Sequence, residues 1–282
     1  MRVLAEFVMR GRGQASAAAF LGSALPLVSW ISASMVSLVI LRKGNKEGSL
    51  VLLWAMLPLG LSYYLVGDSS GLIALIGTAI LAMILRNSFS WELTLLAAVI
   101  LASVGSWIFQ LSAVQVLTTF IEWYLAMISS LQSELQVPSA EQARQAILGY
   151  FAMGQGYLMV SLLILARWWQ SSLFNPGGFG QEFQQLRMSP TVSLGLLVLS
   201  MGCLLLRDQF GVWLGVLTLP FVMSATGFVH WYFARRGWSG NRFFYYYLAL
   251  LFFFQLMCVM LVAMALADSL LNLRKRIELK EG

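Results

Sequence analysis

Gly71-Leu72-Ile73-Ala74-Leu75-Ile76-Gly77-Thr78-Ala79-Ile80-Leu81-Ala82-Met83-Ile84-Leu85-Arg86 decides the fold. Fifteen residues pass without a charge, and the first cation stands where the run stops. Similar runs flank it at about 49–66 and 91–110, separated only by Gly67-Asp68-Ser69-Ser70 and Arg86-Asn87-Ser88. A soluble helix alternates an apolar stripe with a charged face; these segments have no charged face to turn toward water. The same holds along the chain, where 59% of the 282 residues are hydrophobic and only 11% are charged. Such a chain lacks the residues to cover a water-exposed surface of its size, so lipid is the solvent for most of it. Continuous apolar runs, rather than short alternating ones, exclude a barrel and predict an all-α polytopic membrane protein. At about 20 residues per span, roughly seven to nine membrane-embedded helices fit.

Outward from the decisive run, the first apolar stretch covers 15–41, with Pro26 near its middle. One straight helix of that length would reach about 40 Å, more than the ~30 Å hydrocarbon core needs. The proline predicts two short helices, roughly 15–25 and 27–41, as a kinked or re-entrant pair. Further on, 114–131 is apolar but carries Gln115 and Glu122, and 132–145 is polar. Ser139 reads as the N-cap of a helix that continues through 146–166. A polar segment, 167–190, is expected as a cytoplasmic interfacial loop, followed by runs at 191–206, 210–234 and 243–271. No Ser- or Gly-rich linker and no internal repeat divides the chain, so 1–282 is expected as one membrane domain. Glu6, Arg10 and Arg12 interrupt the start, which argues against a cleaved signal peptide.

The formal net charge is +6, from 18 Lys and Arg against 12 Asp and Glu. The cations are scattered over loop ends, as cytoplasmic loops require, rather than gathered into the patch that nucleic acid needs. With the N-terminus inside and 15–41 returning to the side it left, most of the cations fall on the cytoplasmic side. A true span at 114–131 would bring Arg274, Lys275 and Arg276 inside too, but would place Arg167, Arg187 and Arg235 outside. Charge counting leaves that choice open.

No Ser-His-Asp set, catalytic carboxylate pair or metal-ligand spacing stands out. The expectation is no enzyme, no metal and no cofactor. Cys203 and Cys258 lie inside apolar runs, where thiols serve as small buried groups. Glu122 would sit at mid-membrane if its segment spans, and an intramembrane carboxylate is a functional candidate by default. On an outer surface it would simply be hydrated. With Trp107, Trp123, Tyr157, Trp213, His230 and Trp231 it forms the candidate ligand-binding set. Gln110, Gln155, Gln209 and Gln255 could hydrogen-bond a ligand or, more commonly, another helix.

Ala15 and Ala19 form a small-xxx-small face that lets helices approach closely, either within the chain or toward a partner. Trp168 and Trp169 have interfacial positions, and Phe179, Phe183 and Leu186 recur at helical spacing before Arg187. That segment is either a membrane-hugging connector or a docking surface for a cytoplasmic protein. Ala15, Ala19, Trp168, Trp169, Phe179, Phe183 and Arg187 are therefore the candidate partner-binding residues.

Three features together resemble the uncharacterised bacterial inner-membrane family typified by YybS. They are the early proline followed by Leu41-Arg42-Lys43-Gly44 and Gly48, the Asn175-Pro176-Gly177-Gly178-Phe179…Glu182-Phe183…Leu186-Arg187 segment, and the basic C-terminal end. That family is grouped with the substrate-binding S components of energy-coupling-factor transporters. The resemblance implies an all-helical fold in the bacterial inner membrane and capture of a small molecule. In S components an Ala-xxx-Ala face on the first helix meets the coupling subunit, and Ala15 and Ala19 match that spacing. Two functions follow: a small-molecule-binding or transport protein with a cavity among its helices, or a non-transporting scaffold or regulator that recruits protein partners. The partners expected are the bilayer, a protein at the cytoplasmic face and a small-molecule ligand, with no nucleic acid.

Overall fold

The computed structural model describes residues 2–25, 28–131, 138–238 and 240–281. Pro26, where a kink is expected, and residues 132–137 of the polar 132–145 stretch lie outside the described residues. The helices are α1 (Arg2–Arg10), α2 (Arg12–Ala24), α3 (Ser29–Lys43), α4 (Asn45–Val66), α5 (Ser70–Ser88), α6 (Trp91–Ser112), α7 (Val114–Leu131), α8 (Ala140–Phe174), α9 (Gly178–Gln184), α10 (Pro190–Leu205), α11 (Arg207–Phe210), α12 (Leu214–Leu217), α13 (Leu219–Arg235), α14 (Gly240–Phe252), α15 (Phe254–Leu271) and α16 (Leu273–Glu281). A 3₁₀ turn, Gly211–Trp213, joins α11 to α12. There is no strand among the described residues. Six segments of the described chain are long and apolar enough to cross a bilayer: α4, α5, α6, α8, Gly211–Arg235 and α15. The protein is an all-α, multi-pass membrane protein. On α4, Leu53, Leu57, Leu61 and Leu65 form an exposed i, i+4 stripe. In water each would forfeit about 1.5–3 kcal/mol of burial; against lipid tails it forfeits nothing.

The chain divides into two compact units, Met1–Pro176 and Gly177–Gly282. The sequence offers no linker there, only the Asn175-Pro176-Gly177 turn, in which Gly177 takes a φ of 86°.

In the first unit α3 is the axis. Every residue from Ser32 to Leu41 is buried, and α2, α4, α5 and α8 all pack on it. Its small residues make this approach possible. Ser34 Oγ donates to Leu162 O on α8 at 2.9 Å, and Ser37 Oγ to Thr78 O on α5 at 3.4 Å. Gly48 on α4 is so close that an added Cβ would stand 2.1 Å from Ile40 Cγ1.

The two short helices expected of 15–41 are α2 and α3. They lie side by side, with Ser23 Oγ donating to Ser32 Oγ at 2.8 Å and Gly22 against Ser32 and Met35. Their 13 and 15 residues give about 20 and 22 Å, against about 33 Å for the 22-residue α4 and α6. Both are therefore shorter than the helices they pack against. The near end is basic and cross-linked. Arg86 donates to Ile40 O and Leu41 O, Gln170 donates to Leu41 O, Arg42 lies over the Phe174 ring, and Arg12 pairs with Glu47.

α8 starts on the capping box Ser139–Gln142, in line with the sequence. It then differs from it: the helix runs unbroken through Phe174, so 167–174 is helix rather than loop. Trp169 and Ser171 face inward there and are buried, and that burial outweighs the polar look of Trp168-Trp169-Gln170-Ser171-Ser172.

In the second unit α13 packs on α15 and on α9. Gly227 allows the α9 approach, since a Cβ there would meet Phe183 O at 2.6 Å. The run read as 243–271 is two helices that meet at Phe253. Neither proline nor glycine accounts for the break, and nothing else in the structure explains it.

Candidate functional site

A helix that begins inside a bilayer exposes backbone groups that lipid cannot satisfy. Such backbone occurs at membrane depth only where protein covers it or where it lines a cavity. Here it lines one. A hollow of about 160 Å³ lies beside the first turn of α3 in the first unit. The first turn of α3 (Ser29, Trp30, Ala33), the first turns of α5 (Ser70, Gly71, Ala74, Leu75), Leu59 of α4, and Gln155 and Leu158 of α8 wall it.

The walls are mainly apolar; besides Ser29 and Ser70, the polar lining residue is Gln155. It is 8% exposed, and its Oε1 has no hydrogen-bond partner among the described residues. A buried amide oxygen left unpaired costs about 1–3 kcal/mol. Ser70 is already engaged: its N–H and hydroxyl both donate to Asp68, at 2.8 and 2.9 Å. Among the described residues, no cationic or anionic side chain lines the hollow. Two larger hollows, about 620 and 410 Å³, are open apolar grooves along α2–α4 and α5–α6, of the kind acyl chains fill.

The seven ligand candidates read from the sequence do not line this hollow. Trp107 and Trp123 are 62% and 66% exposed. Glu122 is exposed as well, on the face of α7 turned away from the buried Leu117. Tyr157 is half-buried on α8, and Trp213, His230 and Trp231 belong to the second unit. His230 does find partners: its Nε2 shares a 2.7 Å hydrogen bond with Tyr247, within a ring of Phe183 and Phe243.

Of the partner candidates, Ala15 and Ala19 are 1% and 0% exposed. That small-residue face is used by the packing of α2 on its own neighbours. Trp169 and Phe183 are also buried. Trp168 is exposed, Phe179 half-buried, and Arg187 donates to Ser269 O at 2.9 Å.

One polar cluster escaped the sequence. Asp268, which looks interfacial at the end of its run, is 1% exposed and accepts from Arg274 Nε at 2.9 Å. Arg274 also donates to Leu186 O at 2.7 Å and to Gln184 O. Burial lowers the pKa of the Arg274 guanidinium, and Asp268 opposes that shift. This one residue ties α15 and α16 to the segment after α9.

The fold defines a class, an integral membrane protein with several helical spans, with a hollow of about 160 Å³ among the helices of its first unit. Beyond that class, no family model, no curated protein and no solved structure matches the chain.

Proposed function

We propose that this protein binds a small molecule in the membrane at the hollow beside α3, in the manner of a substrate-binding component. The observation that carries the reading is the hollow itself, with the buried polar Gln155 among its mainly apolar lining residues. A protein that gained nothing from Gln155 would place a leucine there. The volume suits a compact ligand: an engineered apolar cavity of about 150 Å³ holds benzene. The resemblance to the YybS-like family, and through it to S components, leads to the same class of function and to the bacterial inner membrane. The basic end of the first unit, with Arg10, Arg12, Arg42, Lys43, Lys46 and Arg86, supports a cytoplasmic N-terminus. The cavity then lies toward the outer side. A scaffold role has less support, because four of the seven residues expected to recruit a partner are buried.

The test is native mass spectrometry of full-length protein extracted gently into detergent, with Ala74→Leu as the cavity-filling control. Ala74 is buried and lines the hollow. The reading predicts a small molecule carried by the wild type and absent from A74L. Equal occupancy in both, or none in either, would overturn it.

A further inference from the structure

We propose that the second unit holds an anionic phospholipid, its phosphate on Arg235, Arg236 and Arg242 and a hydrocarbon chain along the exposed face of α14. The site shares no residue with the hollow of the first unit, so it stands or falls apart from the reading above.

Two apolar spans of this unit, Gly211–Arg235 and α15, stop at the same end. Arg274, just past α15, lies 5.9 Å over the Trp231 ring near the end of α13, which brings the two stops together. The segments that gather there, 182–187, 235–242 and 268–276, hold seven cations against two carboxylates. Residues 277–282 lower that surplus of five only to four. Of the two carboxylates, Asp268 is buried and bonded to Arg274, which leaves Glu182 for the exposed cations. A basic surface where spans leave the bilayer attracts anionic headgroups, and three arginines are worth about a hundredfold in affinity.

The arginines are held in place by rings. Arg242 lies 3.7 Å over Trp238, Arg236 5.4 Å over Tyr232 and Arg235 5.9 Å over Trp231. Trp238 in turn packs on Tyr232 and Phe233, with ring centres 5.7 and 5.0 Å away. A ring occupies the flat face of a guanidinium and leaves the N–H groups along its edge, the fork that grips a phosphate by two oxygens. All three arginines are exposed, and tryptophan and tyrosine are at home at headgroup depth. The second observation concerns the chain. Thr226–Tyr246 and His230–Tyr247 bonds of 2.9 and 2.7 Å fasten α14 to α13. On the face turned from those bonds, Phe244, Leu248 and Leu251 are exposed at i, i+4 and i+7, starting next to Arg242. The 13 residues of α14 reach about 20 Å, enough to line one leaflet of a ~30 Å hydrocarbon core. An acidic soluble protein would meet the arginines and leave that apolar stripe unused; an anionic lipid uses both.

The experiment is native mass spectrometry of full-length protein in detergent, titrated with dioleoyl phosphatidylglycerol, dioleoyl phosphatidylcholine and glycerol 3-phosphate. Wild type should bind phosphatidylglycerol about tenfold or more tighter than either of the other probes. The R235Q/R236Q/R242Q variant should lose about tenfold or more for phosphatidylglycerol and bind phosphatidylcholine as before, which also shows that it is folded. R235K/R236K/R242K keeps the charge and should stay within severalfold of wild type. R10Q/K43Q/K46Q, which removes three cations from the first unit, should leave the tightest phosphatidylglycerol site intact. Wild-type affinity in the glutamine variant of the second unit, or loss of the tightest site in that of the first, would overturn the proposal. A loss as large with lysine as with glutamine would overturn it too, since charge would not be the cause. If glycerol 3-phosphate binds as tightly as phosphatidylglycerol, the arginines take a free phosphate and the lipid assignment is wrong.

Discussion

Replacing Gln155 by leucine gives two effects of opposite sign. The side chain is almost fully buried and its Oε1 is unpaired. Leucine has similar bulk and no polar atom, so the substitution removes a desolvation cost of about 1–3 kcal/mol from the empty protein. For a unit of 176 residues, each kcal/mol moves the melting temperature by roughly 2–4 °C. Ligand-free Q155L should therefore melt about 2–12 °C above wild type, and it should bind the ligand more weakly. The assay is thermal unfolding in detergent, followed by tryptophan fluorescence, with and without the molecule carried by the wild type. A residue that serves only packing would not show a gain in stability with a loss of binding. If Q155L melts below wild type, Oε1 has a partner within the protein, and the argument from its orphaned state is wrong.

Other substitutions test the packing that positions the cavity. Gly48→Ala should destabilise by more than about 2 kcal/mol, because the new Cβ meets Ile40 Cγ1 at 2.1 Å and its Cα at 3.0 Å. Gly77→Ala should cost less, since it meets the flexible end of Met159; paired denaturation curves would show the order. Ser106→Ala, which loses the 2.8 Å bond to Leu148 O, should cost about 0.6 kcal/mol and no more than about 1.7, as membrane hydrogen bonds do. Asp268→Ala should cost about 3–5 kcal/mol by leaving Arg274 buried without its counter-ion, while adding Arg274→Met to it should recover part of that loss. A double-mutant cycle measures the coupling.

The membrane class was legible because hydropathy is local: 71–86 and 91–110 contain their own answer, and α5 and α6 fall on them. The split of 15–41 was legible too, since a proline cannot continue an interior helix and the stretch is too long for one straight crossing. Ser139 announced α8 through its cap. What was not legible depends on neighbours far along the chain. Gln155 stands in sequence as one of several intramembrane glutamines, and only the meeting of α3, α5 and α8 around the hollow sets it apart. Ser29, Trp30 and Ser70 carry no signal of their own. Trp107 and Trp123 looked like pocket walls because aromatic residues line pockets and also face lipid, and periodicity does not separate the two. Asp268 looked wet because it ends an apolar run. Asn272, at a φ of 50°, closes α15 and leads into Arg274, which lies back over the carboxylate. The Gly154-Gln155-Gly156 triplet was the one local hint, a polar side chain between two residues that clear space around it.

The claim on which the rest depends is that α3, shorter than the helices around it, leaves a cavity inside the membrane, reached from the side opposite the basic end. Cysteine accessibility tests it most directly. With Cys203 and Cys258 replaced by alanine, an Ala33→Cys variant carries a single thiol in the cavity wall. It is exposed to a membrane-impermeant thiol reagent in sealed vesicles of known orientation. Lys43→Cys at the basic end of α3 and Val66→Cys at the far end of α4, where Val66 is exposed, report the two sides. The account predicts that A33C is labelled only from the side that labels V66C, more slowly than V66C, and is protected by the bound small molecule. Labelling of A33C from the side that labels K43C, or from neither side, would contradict it.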